Sequence, residues 1–304
     1  MGGWERAAVA LGFFDGVHIG HRAVIDKAFV RSLELTRESG KMCAFEVFTF
    51  DGEPPLPKFG GMSGVLLTTF EDRIGLLHES GADSVYAPPF GNVRDLSPED
   101  FVTGIIIKEM KACYVSCGGD FRFGKGGSGS AEMLARICAG YGVECEIVPA
   151  VCMGGEPVSS TRIRALIRSG DIAGATEMLG HELFYTLPVL RGRQLGRTIG
   201  FPTVNQEIPP YMVHPKRGVY ASSARITGTD VVYPAITNIG VKPTVKDDGA
   251  ENMETHLIGF NGDIYGSSVR VTLKSYIRGE RKFDSLDELK AQLEEDKQFA
   301  LTQG

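Results

Sequence analysis

Two histidines three residues apart, His18 and His21, frame Gly20 in the run Gly12-Phe13-Phe14-Asp15-Gly16-Val17-His18-Ile19-Gly20-His21. Imidazoles at a helix start donate hydrogen bonds to phosphoryl oxygens as charge builds on them. The first N–H groups of such a helix are unpaired and sit at the positive end of its dipole, and Gly20 leaves the backbone room to approach a ligand. A lone His-x-x-His is more often a pair of satisfied structural histidines. Here the weight comes from the short apolar stretch and glycine-bearing turn that precede it. Further along, the glycine-rich loop 118–129 carries Asp120, Phe121, Arg122, Phe123 and Lys125. Its aromatics suit a ring site and its cations a phosphate. In Val158-Ser159-Ser160-Thr161-Arg162-Ile163-Arg164, hydroxyls open a helix and two arginines follow within a turn. Ser160 or Thr161 can simply cap that helix, or support Arg164 on a triphosphate. With His18 and His21 upstream the phosphate role is favoured.

The second half has its own set. Residues 192–200 form a glycine-punctuated basic loop, followed directly by Phe201-Pro202-Thr203-Val204-Asn205. On an extended segment Thr203 and Asn205 share a face, and a hydroxyl with a carboxamide suits hard-oxygen ligation of Mg²⁺. Glu254 opens a strand-like run in which a carboxylate can accept a proton from an attacking hydroxyl.

The elements that must position these residues follow from pattern. Residues 7–11 read as a buried strand, and an amphipathic helix runs from about Gly20 to Gly40. Residues 43–50 read as a buried parallel strand, ending at Asp51-Gly52-Glu53-Pro54-Pro55, at the strand end where ligands of open α/β sheets bind. Thr68-x-x-Glu71 reads as a capping box, and Ser97-Pro98-Glu99-Asp100 opens a helix to about Met110. Strands at 84–87, 114–117 and 144–148 with helices between them make a doubly wound parallel sheet. Short helices end near Gly170 and Leu179. From about residue 182 the periodicity changes to closely spaced strands at 184–190, 219–226, 231–237, 254–260 and 268–277, which indicate an antiparallel barrel. A last helix opens at the capping box Ser285-x-x-Glu288. Its apolar face, Leu286, Leu289 and Leu293, is expected to pack on the barrel.

Composition narrows the function classes. With 304 residues the default is two domains, and 42% hydrophobic content fills proper cores. A formal charge of −6 speaks against nonspecific nucleic-acid binding. No run reaches the length of a membrane span, and residues 1–6 are not a signal peptide. The six cysteines contain no Cys-x-x-Cys pair, so buried reduced thiols in a cytoplasmic protein are expected, with neither zinc nor disulfides.

The N-terminal run resembles the His-x-Gly-His signature of the nucleotidylyltransferase superfamily. Over nearly its whole length the chain resembles the bacterial bifunctional riboflavin kinase/FMN adenylyltransferases, or FAD synthetases. The marks are the 12–21 run, Asp120-Phe121-Arg122-Phe123-Gly124, Ser159-Ser160-Thr161-Arg162-Ile163-Arg164, the run from Leu195 to Asn205, Arg217-Gly218-Val219-Tyr220-Ala221, Asn238-Ile239-Gly240 and Glu254-Thr255-His256. The resemblance implies an α/β chain. A Rossmann-like nucleotidylyltransferase domain with a parallel sheet would span 1–182, and an antiparallel β-barrel riboflavin kinase domain with a terminal helix would span 183–304.

It also implies two reactions. The barrel would phosphorylate riboflavin with ATP, with Glu254 as base, Thr203 and Asn205 placing Mg²⁺, and Gly196, Arg197, Thr198 and Gly200 covering the nucleotide. The N-terminal domain would adenylylate FMN with ATP, releasing pyrophosphate and giving FAD. His18, His21 and Arg164 would stabilise the spreading charge, with Gly12, Phe13, Asp15, Gly20, Asp51, Asp120, Phe121, Phe123, Ser160 and Thr161 lining the substrates. Riboflavin, FMN and ATP are the implied partners, with no nucleic acid or membrane, in a monomer or weak homo-oligomer. The family usually has Pro-His-Pro or a close relative after the second strand, where this chain has Asp51-Gly52-Glu53-Pro54-Pro55 and keeps only the aspartate. A monofunctional nucleotidylyltransferase with a passive barrel, and a regulatory module that binds without turnover, are the competing readings. The Leu195–Asn205 run and Glu254 speak against the first, and intact His18, His21, Arg164, Thr203 and Glu254 against the second.

Overall fold

The computed structural model describes residues 4–51, 66–191, 200–241 and 251–303. Packing gathers them into two units, one from 1–61 with 68–160 and the other from 62–67 with 161–304.

The first unit is built on β1 (Ala7–Leu11), whose five residues are all buried. It pairs in parallel with β2 (Ala44–Phe48) and β4 (Ala112–Gly118). Next to β2 lies β3 (Ser84–Tyr86), and next to β4 lies β7 (Glu144–Val148), both parallel. The order β3-β2-β1-β4-β7 is the doubly wound sheet expected from the alternation of elements. Two hairpins complete the strands, β5 (Arg122–Phe123) with β6 (Gly129–Ser130) and β8 (Cys152–Met153) with β9 (Glu156–Pro157). Around the sheet run α1 (Ile19–Ser39), ended by Gly40 in the left-handed region, α2 (Phe70–Glu79), α3 (Phe90–Val93), α4 (Pro98–Asp100) and α5 (Ala131–Gly140).

Three local expectations change. The helix opened by Ser97 starts as read, with Ser97 Oγ accepting from the Asp100 N–H at 3.0 Å. Beyond α4 it widens into a π-type helix, Phe101–Glu109, closed by Met110 N–H donating to Ile105 O at 2.9 Å. Its buried side chains Phe101, Val102, Ile105 and Ile106 are spaced by four and five, which the wider turn keeps on one face. The cap of α2 is Thr69, whose Oγ1 accepts from the Asp72 N–H at 3.1 Å, one residue later than the box beginning at Thr68. All six cysteines are free thiols, but Cys152 is exposed on its hairpin rather than buried.

In the second unit α6 (Ser160–Ser169) and α7 (Ile172–Leu179) lead to six antiparallel strands. These are β10 (Leu183–Pro188), β11 (Val204–Ile208), β12 (Gly218–Ile226), β13 (Val232–Val241), β14 (Glu251–Leu257) and β15 (Ser268–Arg278), in the order β10-β15-β12-β13-β14-β11. The ends of this sheet meet. Leu190 N–H donates to Asn205 O at 2.7 Å, and the buried Gln206 Nε2 donates to Leu187 O at 2.6 Å and Val269 O at 2.8 Å. The result is the nearly closed barrel that the strand spacing predicts. Residues 204–208, read from sequence only as an extended segment, are a full strand of it. β14 starts at Glu251, three residues before the expected 254, so Glu254 stands mid-strand.

The terminal helix α8 (Leu286–Leu301) is capped by Ser285 as expected. It is tied to β15 by Asp296, 1% exposed, which accepts from Arg278 Nη2 at 2.6 Å and Nε at 3.1 Å. Leu293 packs against the buried cluster formed by Ala221 and Ile236 on the sheet and Ala300 of the helix itself.

At the start of β14, Glu251 takes Arg217 Nε at 2.8 Å and His214 Nδ1 at 3.4 Å. Burial alone would raise the Glu251 pKa, but His214 and Arg217 outweigh it and hold the carboxyl below its ordinary value. The His214 imidazole is raised by its bond to Glu251. A raised imidazole contributes stability that is full below its unfolded value of about 6.5 and is lost as pH climbs through the folded value. Thermal melts of the wild type and His214→Ala are expected to show a gap in Tm that is widest near pH 6 and narrows toward pH 8. A gap that widens over that range would contradict the pairing.

Candidate active sites

The turn after β1 is held under constraint. Gly12 N–H donates to Phe48 O at 3.2 Å, and Thr49 Oγ1 donates to Phe13 O at 2.8 Å. Phe14, Gly16 and Val17 have φ of 55°, 78° and 40°. A buried β-branched Val17 in the left-handed region stores strain of a kind that clusters at functional sites. Asp15 is 3% exposed and accepts from Thr68 N–H at 3.3 Å, while Thr68 Oγ1 accepts from Gly16 N–H at 3.4 Å. Ser160 Oγ donates to Asp15 O at 3.2 Å. The His18 side chain caps α1, its Nδ1 accepting the His21 N–H at 3.3 Å. The two imidazoles stack with centroids 3.6 Å apart, and Phe14 meets His21 edge-on. A Cβ at Gly20 would lie 3.1 Å from His18 Cε1, so a side chain here would press on the capping imidazole. The structure therefore gathers Gly12, Phe13, Asp15, His18, Gly20, His21 and Ser160 around one helix N-terminus.

Asp51 follows β2, its N–H donating to Pro88 O at 3.0 Å; residues 52–55 lie outside the described set. In the 118–129 loop Phe123 turns into the core against Phe101 at 5.3 Å, and Phe121 stacks on Phe123 at 5.8 Å. Asp120 stands at the turn closed by Phe121 N–H to Gly118 O. On α6, Arg164 Nη2 donates to Thr161 Oγ1 at 3.0 Å.

Sequence reading passed over Arg73. It is 1% exposed, donates through Nη2 to Phe50 O at 2.8 Å and lies over the Phe13 ring at 4.3 Å. Burial lowers its pKa to about 10, against the opposing pull of Asp15 and Asp51. A buried cation thus supports the turn from behind. On an amphipathic helix such an arginine reads as surface, which is why pattern alone does not find it.

In the barrel two cavities meet at one residue. The first, of about 490 Å³, is lined by Val189, Pro202, Thr203, Val204, Leu257 and the stretch 260–265. The second, of about 430 Å³, lies between the sheet and α8 and is lined by Phe201, Thr203, Val219, Ile236, Asn238, Glu254, His256, Phe283 and the three leucines of the α8 face, among others. Those leucines therefore wall a cavity as well as pack. Thr203 belongs to both cavities. Asn205 stands opposite Glu254 in the β11–β14 ladder. Between them lies Asn252, also passed over in the sequence, whose Nδ2 donates to Glu254 Oε1 at 2.9 Å and to Asn205 Oδ1 at 3.3 Å. His256 Nδ1 bonds Pro202 O at 2.8 Å, and burial lowers its pKa. Of the residues expected to cover the nucleotide, Gly200 has φ 83°; Gly196, Arg197 and Thr198 lie outside the described residues.

The FAD synthetase family model matches residues 2–162, and the riboflavin kinase model matches 179–303. Bifunctional riboflavin kinase/FMN adenylyltransferases of Escherichia coli strain K12 and Bacillus subtilis strain 168 are each 34% identical to this chain. The matches cover 96% and 97% of it, and 91% and 92% of the relatives. The chain belongs to this family. A crystal structure from Streptococcus pneumoniae described as a macrolide-efflux protein is also similar, with a TM-score of 0.80 and 30% identity over 97% of this chain and 94% of that one. The efflux role in that description stays with that protein, and among the described residues here no helix is long and apolar enough to cross a membrane. Within the family frame, the strained histidine turn falls in the FAD synthetase segment and the two joined cavities fall in the riboflavin kinase segment.

The adjacent threonines separate shape from stability. Thr69→Val removes the cap of α2 and is expected to cost about 1 kcal/mol in urea denaturation. Thr68→Val instead frees the Gly16 N–H in the histidine turn, and is expected to lower FMN-to-FAD conversion by more than its small effect on stability accounts for. Equal FAD formation by wild type and Thr68→Val would show that the turn does not need this bond.

Proposed function

We propose that the residues gathered above divide the family's two reactions between them: residues 1–182 adenylylate FMN, and residues 183–304 phosphorylate riboflavin. The observation that carries the second assignment is Thr203, shared by both barrel cavities, with Glu254 on the wall of one. Riboflavin fits the more apolar cavity under α8, and ATP fits the cavity bounded by 260–265. The ribityl 5′-hydroxyl and the γ-phosphoryl group then meet beside Thr203. Glu254 accepts the hydroxyl proton as the oxygen attacks phosphorus, and positioning supplies most of the rate. The loop 192–200, with Gly196, Arg197, Thr198 and Gly200, covers the nucleotide.

Thr203 and Asn205 offer neutral hard-oxygen donors, a set that suits Mg²⁺ whose charge is balanced by phosphates. When bound, the ion neutralises the charge of the phosphate chain.

In adenylyl transfer the FMN phosphate is already anionic, so no strong base is needed as it attacks the α-phosphorus of ATP and expels pyrophosphate. His18, His21 and Arg164, with Ser160 and Thr161, stabilise the charge that spreads over the transferring group. Gly12, Phe13, Asp15, Gly20, Asp51, Asp120, Phe121 and Phe123 shape the pocket around the two substrates. The net charge of −6 speaks against nonspecific nucleic-acid binding, and the proposal takes the protein as a cytoplasmic enzyme acting as a monomer or weak homo-oligomer.

Chromatography of products from riboflavin, ATP and Mg²⁺, beside a reaction started from FMN, separates the two assignments. His21→Ala is expected to accumulate FMN with FAD formation collapsed. Glu254→Ala is expected to leave riboflavin unchanged while supplied FMN is still converted to FAD. Loss of both reactions in either folded variant would overturn the division of labour.

A further inference from the structure

Asn252 is 5% exposed, yet it stands on the outward face of β14, the face that also carries Glu254 and His256. Its amide orientation is set by chemistry. Nδ2 faces two acceptors, Glu254 Oε1 at 2.9 Å and Asn205 Oδ1 at 3.3 Å, and a flipped amide would aim oxygen at oxygen. The other end of the amide, Oδ1, is buried with no hydrogen-bond partner. A buried carbonyl oxygen without a donor is a standing cost, and an apolar side chain of similar volume would remove it. Stability alone therefore does not account for asparagine at this position. One –NH₂ group spans the two residues assigned to the phosphoryl-transfer site and to nothing else among the described residues.

We propose that Asn252 is a positioning residue of riboflavin phosphorylation, fixing the Glu254 carboxylate and the Asn205 carboxamide at one separation and one orientation. This rests on the assignment of Glu254 and Asn205 made above. The chemistry of the group fits the task. Held through Oε1, the Glu254 carboxylate is turned so that its second oxygen is kept for the substrate hydroxyl. Asn205 Oδ1 has two lone pairs, one directed by Asn252 and one left for an oxygen-seeking cation. A lysine or arginine here would pair with Glu254 and blunt it as a proton acceptor. A neutral amide orients the carboxylate and leaves its charge in place.

The test compares Asn252→Val, Asn252→Asp and Asn252→Gln in the full chain, with Glu254→Ala as reference. Valine fills the site with neither donor nor orphan oxygen. Its urea midpoint is expected to match or exceed the wild type, while kcat for riboflavin phosphorylation falls about 10- to 100-fold, the range typical of lost supporting contacts. KM for riboflavin should change less than kcat, and FMN adenylylation should be unchanged. Aspartate keeps the shape without the N–H donors and is expected to lose at least as much, whereas glutamine, with a donor one methylene further out, should recover part of the rate. Wild-type kcat in both Asn252→Val and Asn252→Asp, with Glu254→Ala inactive, overturns the proposal and spares the assignment of Glu254. A lowered midpoint that accounts for the lost rate also overturns it, in favour of a structural role. Normal phosphorylation by Glu254→Ala removes the assignment of Glu254 and this inference with it.

Discussion

The buried amide of Gln206, bonded to the carbonyl oxygens of Leu187 and Val269, holds the two ends of the barrel sheet together, and the register of β11 and β14 depends on that closure. Side chains on a strand alternate between faces, so a slip of one residue would exchange every inward group for an outward one. With Gln206 turned in, Asn205 faces out toward its partner strand. On β14 the same alternation buries Met253 and Thr255 and presents Asn252, Glu254 and His256 to the cavity side. A ladder of buried hydroxyls reinforces the register, Ser222 with Thr237 at 2.8 Å and Thr237 with Thr255 at 3.0 Å. Polar groups inside the barrel thus specify which polar groups stand outside it.

The first unit solves a different problem. A parallel strand must turn sharply into a helix whose first turn is capped by the His18 imidazole. The turn adopts left-handed backbone at Phe14, Gly16 and Val17 and is stitched from several directions, by Thr49, Thr68 and Ser160. Arg73 lies beneath the Phe13 ring with its charge balanced by Asp15 and Asp51 through space. Conformational strain is tolerated because so many fixed partners surround it.

Much of this was legible from residue types. All-buried apolar strands, the glycine turn with its paired histidines, and caps such as Ser97 and Ser285 are local signals, and local physics decides them. The places where reading fell short are decided elsewhere in the fold. In Val204-Asn205-Gln206-Glu207-Ile208 the inward position at the centre is a glutamine, which no hydrophobic pattern marks as buried. Thr68 and Thr69 offer the same hydroxyl one residue apart, and only the demand of Gly16 for an acceptor assigns Thr68 to the turn and Thr69 to the cap. Arg73 and Asn252 are polar residues whose burial is set by distant partners. The π-type helix comes from an apolar spacing of four and five that is ambiguous in one dimension.

The second unit begins with a fragment borrowed from the middle of the first. Leu66 N–H donates to Tyr211 O at 3.0 Å and Leu66 O accepts from Val213 N–H at 2.7 Å, so Leu66 and Leu67 belong with 161–304 although 68–160 intervene. The last boundary, at residue 160, falls inside a helix. In terms of heredity the halves are interleaved in the gene. A single crossover at that boundary would leave Leu66 to pair with a foreign counterpart of Tyr211 and Val213.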